Sequence, residues 1–141
     1  MFIEDVAVEN HRFFWGFSTS LDFYRLIYFV EKVMGQKADV YEVVDEKIIE
    51  PFSFDAEVQF AAFEMEDGNY YLLKNRNIQH LHFPKAKKAD FIFIKETELD
   101  QNLNESLKDQ LQAIVSVQSI FVVDRRFLSK KKLQYFAQSH F

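Results

Sequence analysis

The chain has 141 residues, a length typical of one domain that can bury a sizeable core. It contains no cysteine, which excludes disulfides, zinc–thiolate sites and a cysteine nucleophile. The formal net charge is -5, with acidic residues in excess over residues 1–67 and basic residues in excess over 68–141. Such asymmetry either marks a basic binding face or disappears when the two halves interleave in one sheet, and we favour the second interpretation.

The sequence shows no sign of export or membrane insertion. Residues 1–11 carry acidic side chains where a signal peptide has basic ones, and they include no long apolar region. No apolar run approaches the roughly 18 residues that a membrane helix needs. We therefore expect a cytoplasmic protein that does not enter a membrane.

The first predicted elements are a strand over 12–17 and a helix that ends near Met34. Thr19 and Asp22 resemble a capping box at the start of this helix, and Gly35 stands where a helix ends. A wide apolar face follows the helical repeat. Its residues are Leu21, Tyr24, Ile27, Tyr28, Val30 and Met34. Residues 38–44 form the next predicted strand.

The rest of the chain predicts further strands around a second helix. Asp67-Gly68 between two apolar runs indicates a hairpin, and residues 89–95 alternate as a strand does. Residues 99–114 form an amphipathic helix, and 115–124 a closing strand.

This order predicts an α+β fold. We expect a single antiparallel-rich sheet with the two main helices packed on one face, in a ferredoxin-like plan with an extra hairpin. One domain would span residues 1–124, followed by a basic, partly apolar C-terminal tail at 125–141.

The stretch FPKAKKADF resembles, in its spacing, the signature of the IPExxxVDY family of small bacterial proteins. Pro84 and Asp90 match that signature, whereas Lys85, Ala89 and Phe91 replace its Glu, Val and Tyr. Segments that begin at three other places resemble further parts of the family, so the resemblance covers nearly the whole chain. These are LDFYRLIYF from Leu21, YYLLKN from Tyr70 and LSKKKLQYF from Leu128. The resemblance implies a bacterial cytoplasmic protein without an assigned activity, and it supplies no site residue.

The same stretch has a physical interpretation as a turn. Pro84 fixes its own φ and biases Phe83 toward extended conformations, so it would end one strand and begin a turn. Residues 86–88 would cross an exposed connection. Asp90 would begin the next strand with its side chain bonded to nearby backbone amides. We therefore interpret the motif as a turn rather than a site.

Two other patterns near this motif suggest ligands. His80 and His82 would share one face of a strand and, with a carboxylate, could bind a metal, but no third ligand can be named. Phe91 and Phe93 share a sheet face, as do the base-stacking aromatics of RNA-recognition modules. The acidic charge and the missing glycines argue against RNA, and the two rings could instead pack under a helix. We expect no metal and no cofactor.

No catalytic constellation is visible in the sequence. There is no nucleophile elbow, P-loop or dinucleotide glycine pattern, and the chain has only three glycines. Carboxylates such as Asp22, Asp45, Glu57 and Asp90 show no spacing that acid–base chemistry requires. We predict no catalytic residue and no enzyme.

The 17 phenylalanines and the apolar basic tail favour a protein that works through contact with another protein, either itself or a partner. A Phe-rich core and a solvated tail are the simpler alternatives. The predicted contact surface consists of Arg125, Arg126, Phe127, Tyr135 and Phe136. We expect a non-catalytic protein-interaction or homodimerising domain. The alternative is a small-ligand or single-stranded RNA binder that uses Phe91 and Phe93 on the sheet face.

Overall fold

The structure is a computed structural model that describes residues 12–44, 57–76, 81–96 and 101–128. Its strands form one antiparallel sheet in the order β2-β3-β4-β5-β1-β6. The strands are β1 (Arg12–Thr19), β2 (Asp39–Val44), β3 (Glu57–Met65), β4 (Gly68–Lys74), β5 (Phe91–Glu96) and β6 (Val117–Val122). The helices are α1 (Phe23–Met34) and α2 (Gln101–Gln112).

The connections confirm the predicted α+β plan. Helix α2 connects β5 to β6, which lie on either side of β1. The connection from β1 to β4, which lie on either side of β5, contains α1 and the β2–β3 hairpin. The sheet is therefore a ferredoxin-like sheet widened by one hairpin. Strand β1, from the acidic half of the chain, lies between two strands of the basic half.

Both ends of helix α1 are set by local capping hydrogen bonds. The Asp22 carboxylate accepts a hydrogen bond from the Arg25 N–H (2.9 Å), and Gly35 adopts φ 69° and donates its N–H to the Glu31 carbonyl (2.8 Å). The predicted end at Gly35 is thus confirmed. The predicted capping box is wrong, because Thr19 still belongs to β1 and Asp22 is itself the cap.

Both helices lie on the same face of the sheet. Helix α1 buries four residues there, and α2 with the turn after it contributes Leu111 and Ile114. The four are Phe23, Leu26, Ile27 and Val30. Phe91 stacks on Phe23 with ring centroids 6.4 Å apart, and Phe93 is fully buried. Neither ring of the predicted sheet-face contact is available on an open sheet surface, because both pack under the helices.

The opposite face of the sheet is covered by the loop over 83–89. Its apolar side chains pack on residues of the sheet, and Leu128 joins them. Asn75, which is completely buried, fastens this loop. Its Nδ2 donates to the carbonyls of Ala86 (3.1 Å) and Ala89 (2.8 Å), and its Oδ1 accepts from the Phe83 N–H (2.7 Å). The loop is therefore held by one side chain that satisfies three buried backbone groups.

The signature-like stretch has the predicted turn structure. Pro84–Ala86 is a short 3-10 turn, and the Asp90 carboxylate accepts from the Thr19 N–H (3.0 Å) and from Arg76 Nε (2.8 Å). The expectation that residues 86–88 are all exposed is wrong for Ala86, because its side chain packs on the sheet. Asp90 joins the end of β1 to the loop, which is a structural role.

Within the described residues, neither helix is long and apolar enough to cross a membrane.

Candidate functional site

Two concave sites lie at opposite ends of α1. The first, here called the lysine pocket, is a cavity of about 220 Å³ at the C-terminal end of the helix. It is lined by Val33, Met34, Met65, Asp67, Tyr70, Lys95, Ser106, Leu107 and Gln110. The second, here called the tyrosine groove, measures about 540 Å³ near the N-terminal end. It is lined by Leu21, Tyr24, Arg25, Tyr28, Phe29, Val115 and Ser116.

The lysine pocket is built around a buried cation. Because side chains alternate along β5, Lys95 is on the same face as Phe91 and Phe93, under the helices. Its side chain is only 2% exposed, although lysine is almost never buried without partners. Lys95 Nζ lies 2.6 Å from Asn104 Oδ1 and 3.9 Å from Asp67 Oδ2. It also lies 5.5 Å from the centre of the Tyr70 ring. The groups that hold this charge thus include a carbonyl oxygen, a carboxylate and an aromatic face.

Asp67 and Tyr70 form the second part of the pocket. The hairpin turn between β3 and β4 places Asp67 at the mouth, with its side chain 48% exposed. The Tyr70 hydroxyl donates to Asp67 Oδ2 at 2.9 Å. Burial raises the pKa of Tyr70 above its ordinary value, and the hydrogen bond to Asp67 and the charge of that carboxylate act in the same direction. Tyr70 is thus a neutral hydrogen-bond donor at neutral pH and holds the carboxylate in position.

Asn104 brings a further polar group to Lys95. Because an ammonium group only donates hydrogen bonds, the Asn104 oxygen must face it, and this orientation fixes the other half of the amide. Asn104 is 5% exposed, and its Nδ2 has no acceptor among the residues that the structure describes. A buried donor left in this state costs about 1–3 kcal/mol. An unfilled donor therefore lies next to the buried cation, on a residue that does not itself line the pocket.

The tyrosine groove has the opposite character. Tyr24 and Tyr28 are 55% and 52% exposed, and Val115 is 68% exposed. The two tyrosines lie one turn apart on α1, so their rings form a row along the outer side of the helix. Lys32 Nζ lies 4.5 Å from the centre of the Tyr28 ring. The groove is therefore an exposed aromatic surface with basic side chains beside it.

A strained turn closes the far side of this groove. Ser116 adopts φ 69°, a left-handed conformation that residues other than glycine rarely adopt. Its carbonyl accepts from the Thr19 hydroxyl at 2.7 Å, which ties the turn to the end of β1. Val115, the preceding residue, thereby borders the same groove as Tyr24.

The structure brings together three residues of the contact surface predicted in the tail. Arg125, Arg126 and Phe127 form a 3-10 turn, and Phe127 is 42% exposed. Arg126 Nη2 lies 2.7 Å from Asp124 Oδ2, and the hydrogen bonds from Arg126 lower the pKa of Asp124 to about 2. Tyr135 and Phe136 lie outside the described residues. Because Leu128 is buried on the sheet, the boundary drawn at residue 124 does not separate this part of the tail from the domain.

The predicted histidine pair is described only in part. His80 lies outside the described residues, and His82 is buried. No cluster of three or more His, Cys, Asp or Glu side chains that could hold a metal ion occurs in the part of the chain that the structure describes.

Both concave sites were missed by the sequence reasoning, although each left a signal. Lys95 stands at the third apolar position of an alternating strand, after Phe91 and Phe93, and such a position predicts burial. The apolar face predicted for α1 extends too far around the helix on one side, and it omits Phe23 and Leu26, which are buried. Tyr24 and Tyr28 belong to its excess part.

Comparisons with known proteins do not assign a function to these sites. No model of a known protein family matches the chain, and a search of curated proteins finds no match. The resemblance to the IPExxxVDY family stays a prediction.

Proposed function

We propose that this protein is a non-catalytic interaction domain that binds an acidic, apolar segment of a partner protein in the tyrosine groove. The observation that carries the proposal is the pair of half-exposed tyrosines, Tyr24 and Tyr28, in one groove with Val115. Exposed aromatic rings that border a concave surface are typical of contact sites. Tyrosine and arginine are also enriched among the residues that dominate binding energy.

The charge of the partner follows from the basic side chains at the groove. Arg25 lines it with its side chain 75% exposed, and its contact with Asp22 is a long surface pair of 3.9 Å. Surface pairs of this kind contribute little to stability, so Arg25 can exchange Asp22 for another carboxylate. Lys32 adds a second cation beside Tyr28. Acidic side chains on the partner would pair with both cations, and its apolar side chains would pack on the tyrosine rings.

A second copy of the chain fits this surface less well. Arg25 and Lys32 are seven residues apart, so they lie on the same flank of α1. Antiparallel packing of two α1 helices would bring Arg25 of one copy to Lys32 of the other. This arrangement places like charges together, which disfavours an antiparallel homodimer through the groove.

Pairing through the edge strand β6 is also hindered. The Val123 N–H donates to the Phe14 carbonyl (2.8 Å), so the alternation of the ladder directs the Ile120 N–H to the open edge. Gln112 Oε1 accepts from that N–H at 2.9 Å. A side chain of the α2 helix thus occupies the position that an added strand would need.

A peptide selection tests the proposal and does not require the partner to be identified. Phage-displayed random peptides would be selected on the wild-type protein, and the enriched peptides would then be measured against a variant that combines Tyr24→Ala and Tyr28→Ala. We expect enriched peptides that contain acidic and aromatic or aliphatic residues. Their affinity for the double variant should fall at least about tenfold, because both anchoring rings are absent.

The matched control is Phe127→Ser, which alters the contact surface predicted from the tail and leaves the groove intact. Enriched peptides should bind this variant as they bind the wild type. The proposal is overturned if no peptide is enriched, if the enriched peptides bind the double variant equally well, or if Phe127→Ser alone abolishes binding. If the wild type sediments as a stable dimer and the double variant does not, the occupant of the groove is a second copy of the chain rather than a partner protein.

A further inference from the structure

The lysine pocket has the features of a small-molecule site that is distinct from the tyrosine groove. It lies at the other end of α1 and shares no lining residue with the groove. Its volume of about 220 Å³ is below the range typical of pockets for drug-sized ligands, so its occupant must be smaller.

The charges of the pocket point to an occupant with both signs of charge. Lys95 supplies one positive charge and Asp67 one negative charge, 3.9 Å apart. A simple anion at Lys95 would sit beside the Asp67 carboxylate, and a simple cation at Asp67 would sit beside the Lys95 ammonium. Both would meet a like charge in a partly desolvated site, which weakens binding. Among the described residues that line the pocket, a dianion such as phosphate would meet one cation, Lys95, and the same repulsion.

The remaining walls specify the neutral part of the occupant. Val33, Met34 and Met65 line one part of the cavity, and Leu107 lines another. Methionine side chains adapt to ligands of irregular shape. The occupant therefore needs a short apolar group next to its two charges.

The buried amide beside Lys95 is an independent sign of a missing acceptor. Asn104 Oδ1 lies 2.6 Å from Lys95 Nζ, so the donor Nδ2 belongs to an amide that directly contacts this ammonium. No described residue accepts a hydrogen bond from this buried Nδ2. A carboxylate oxygen at Lys95 would provide the acceptor.

We propose that the lysine pocket binds a free α-amino acid with an apolar side chain, whose carboxylate pairs with Lys95 and whose ammonium pairs with Asp67. An α-amino acid carries both charges on groups attached to one carbon, which suits the short separation of Lys95 and Asp67. Tyr70 holds the Asp67 carboxylate in position through its 2.9 Å hydrogen bond.

The test is a titration of the full-length, ¹⁵N-labelled protein followed by the amide signals of Asp67, Tyr70 and Lys95. The probe is L-leucine, compared with two compounds that each lack one of its charged groups. These compounds are 4-methylpentanoate, which lacks the ammonium, and 3-methylbutylamine, which lacks the carboxylate. We expect saturable shifts with L-leucine and affinities at least about tenfold weaker for each of the other two.

Two variants separate binding from folding. Asp67→Asn changes a half-exposed side chain and should weaken L-leucine at least about tenfold while the amide spectrum elsewhere is unchanged. Lys95→Met keeps the length of the side chain and removes the charge. It should weaken L-leucine binding as much as Asp67→Asn does. The combined Tyr24→Ala and Tyr28→Ala variant is the matched control, and it should bind L-leucine as the wild type does.

The proposal fails if L-leucine, L-methionine and L-phenylalanine all give no saturable shift up to about 10 mM, a concentration that detects even millimolar affinity. It also fails if 4-methylpentanoate or 3-methylbutylamine binds as tightly as L-leucine, because one of the two charges would then have no role. The proposal is also overturned if both pocket variants bind L-leucine with the affinity of the wild type. None of these results bears on the tyrosine groove, so the two proposals fail separately.

Discussion

The two ends of α1 depart from the usual distribution of side chains in opposite directions. At the tyrosine groove, large aromatic rings are half exposed and the charged groups lie in solvent. At the lysine pocket, a charged group is buried, and aromatic and apolar side chains surround it. Departures from the pattern of apolar interior and polar surface are expected at functional sites. One helix therefore separates a surface suited to a macromolecule from a cavity suited to a small molecule.

The same comparison divides the residues by what they contribute to folding. The rings of the groove can be removed without opening a cavity, whereas each polar group of the pocket depends on its neighbours for hydrogen bonds. Substitutions that leave a buried polar group of the pocket without its partner should therefore lower the free energy of unfolding more than substitutions in the groove.

The largest effect is expected at Asn104. Asn104→Leu removes the oxygen that lies 2.6 Å from Lys95 Nζ and leaves a buried ammonium with poorer compensation, so we expect a loss of about 3 kcal/mol in the free energy of unfolding. Combining it with Lys95→Met removes both buried polar groups and should restore wild-type stability or exceed it. Urea unfolding followed by circular dichroism measures the free energy of unfolding of the single and the double variant. Additive losses in the double variant would show that the two side chains are not coupled.

A smaller effect is expected at Tyr70. Tyr70→Phe removes the 2.9 Å hydrogen bond to Asp67 and should cost about 1 kcal/mol at neutral pH. The folded-state pKa of Tyr70 lies above its ordinary value of 10.0. The stabilisation that Tyr70 contributes is therefore fully present at any pH below 10.0. As the pH rises further, the unfolded chain loses the proton first and stability falls. The difference between wild type and Tyr70→Phe, measured by urea unfolding, should shrink from about pH 9 to about pH 11. A constant difference would contradict the raised pKa.

The smallest effect is expected in the groove. Tyr24→Ala and Tyr28→Ala together should change the free energy of unfolding by no more than about 1 kcal/mol, because both rings are half exposed and alanine favours the helix. Thermal unfolding followed by circular dichroism is a sufficient measurement. A loss of about 3 kcal/mol or more would mean that the tyrosines belong to the core, and the contrast between the two ends of α1 would disappear.

Much of the fold follows from local patterns, whereas the sites do not. The hairpin at Asp67-Gly68 and the end of α1 at Gly35 depend on the conformations that turn residues prefer, so a short stretch of sequence is enough to find them. Asn75 shows the limit of such reasoning. Nothing in its neighbourhood marks it, and its role exists only because the chain returns over it at 83–89.

The contact residues predicted on the sheet illustrate the same limit. Alternation correctly placed Phe91 and Phe93 on one face of a strand, but it could not show which face the helices would cover. That choice depends on the right-handed connections of the whole sheet.

The sequence by itself determined the α+β class, the main elements and the end of α1 at Met34, because hydrophobic period, turn chemistry and capping act over a few residues. The tertiary structure decided which part of the wide apolar face of α1 is buried, since only packing on the sheet leaves Tyr24 and Tyr28 outside. It also decided the environment of Lys95, because Asp67 and Asn104 reach it from a distant turn and a different helix. Both sites are made by contacts between residues far apart in the chain, and local patterns carry no information about such contacts.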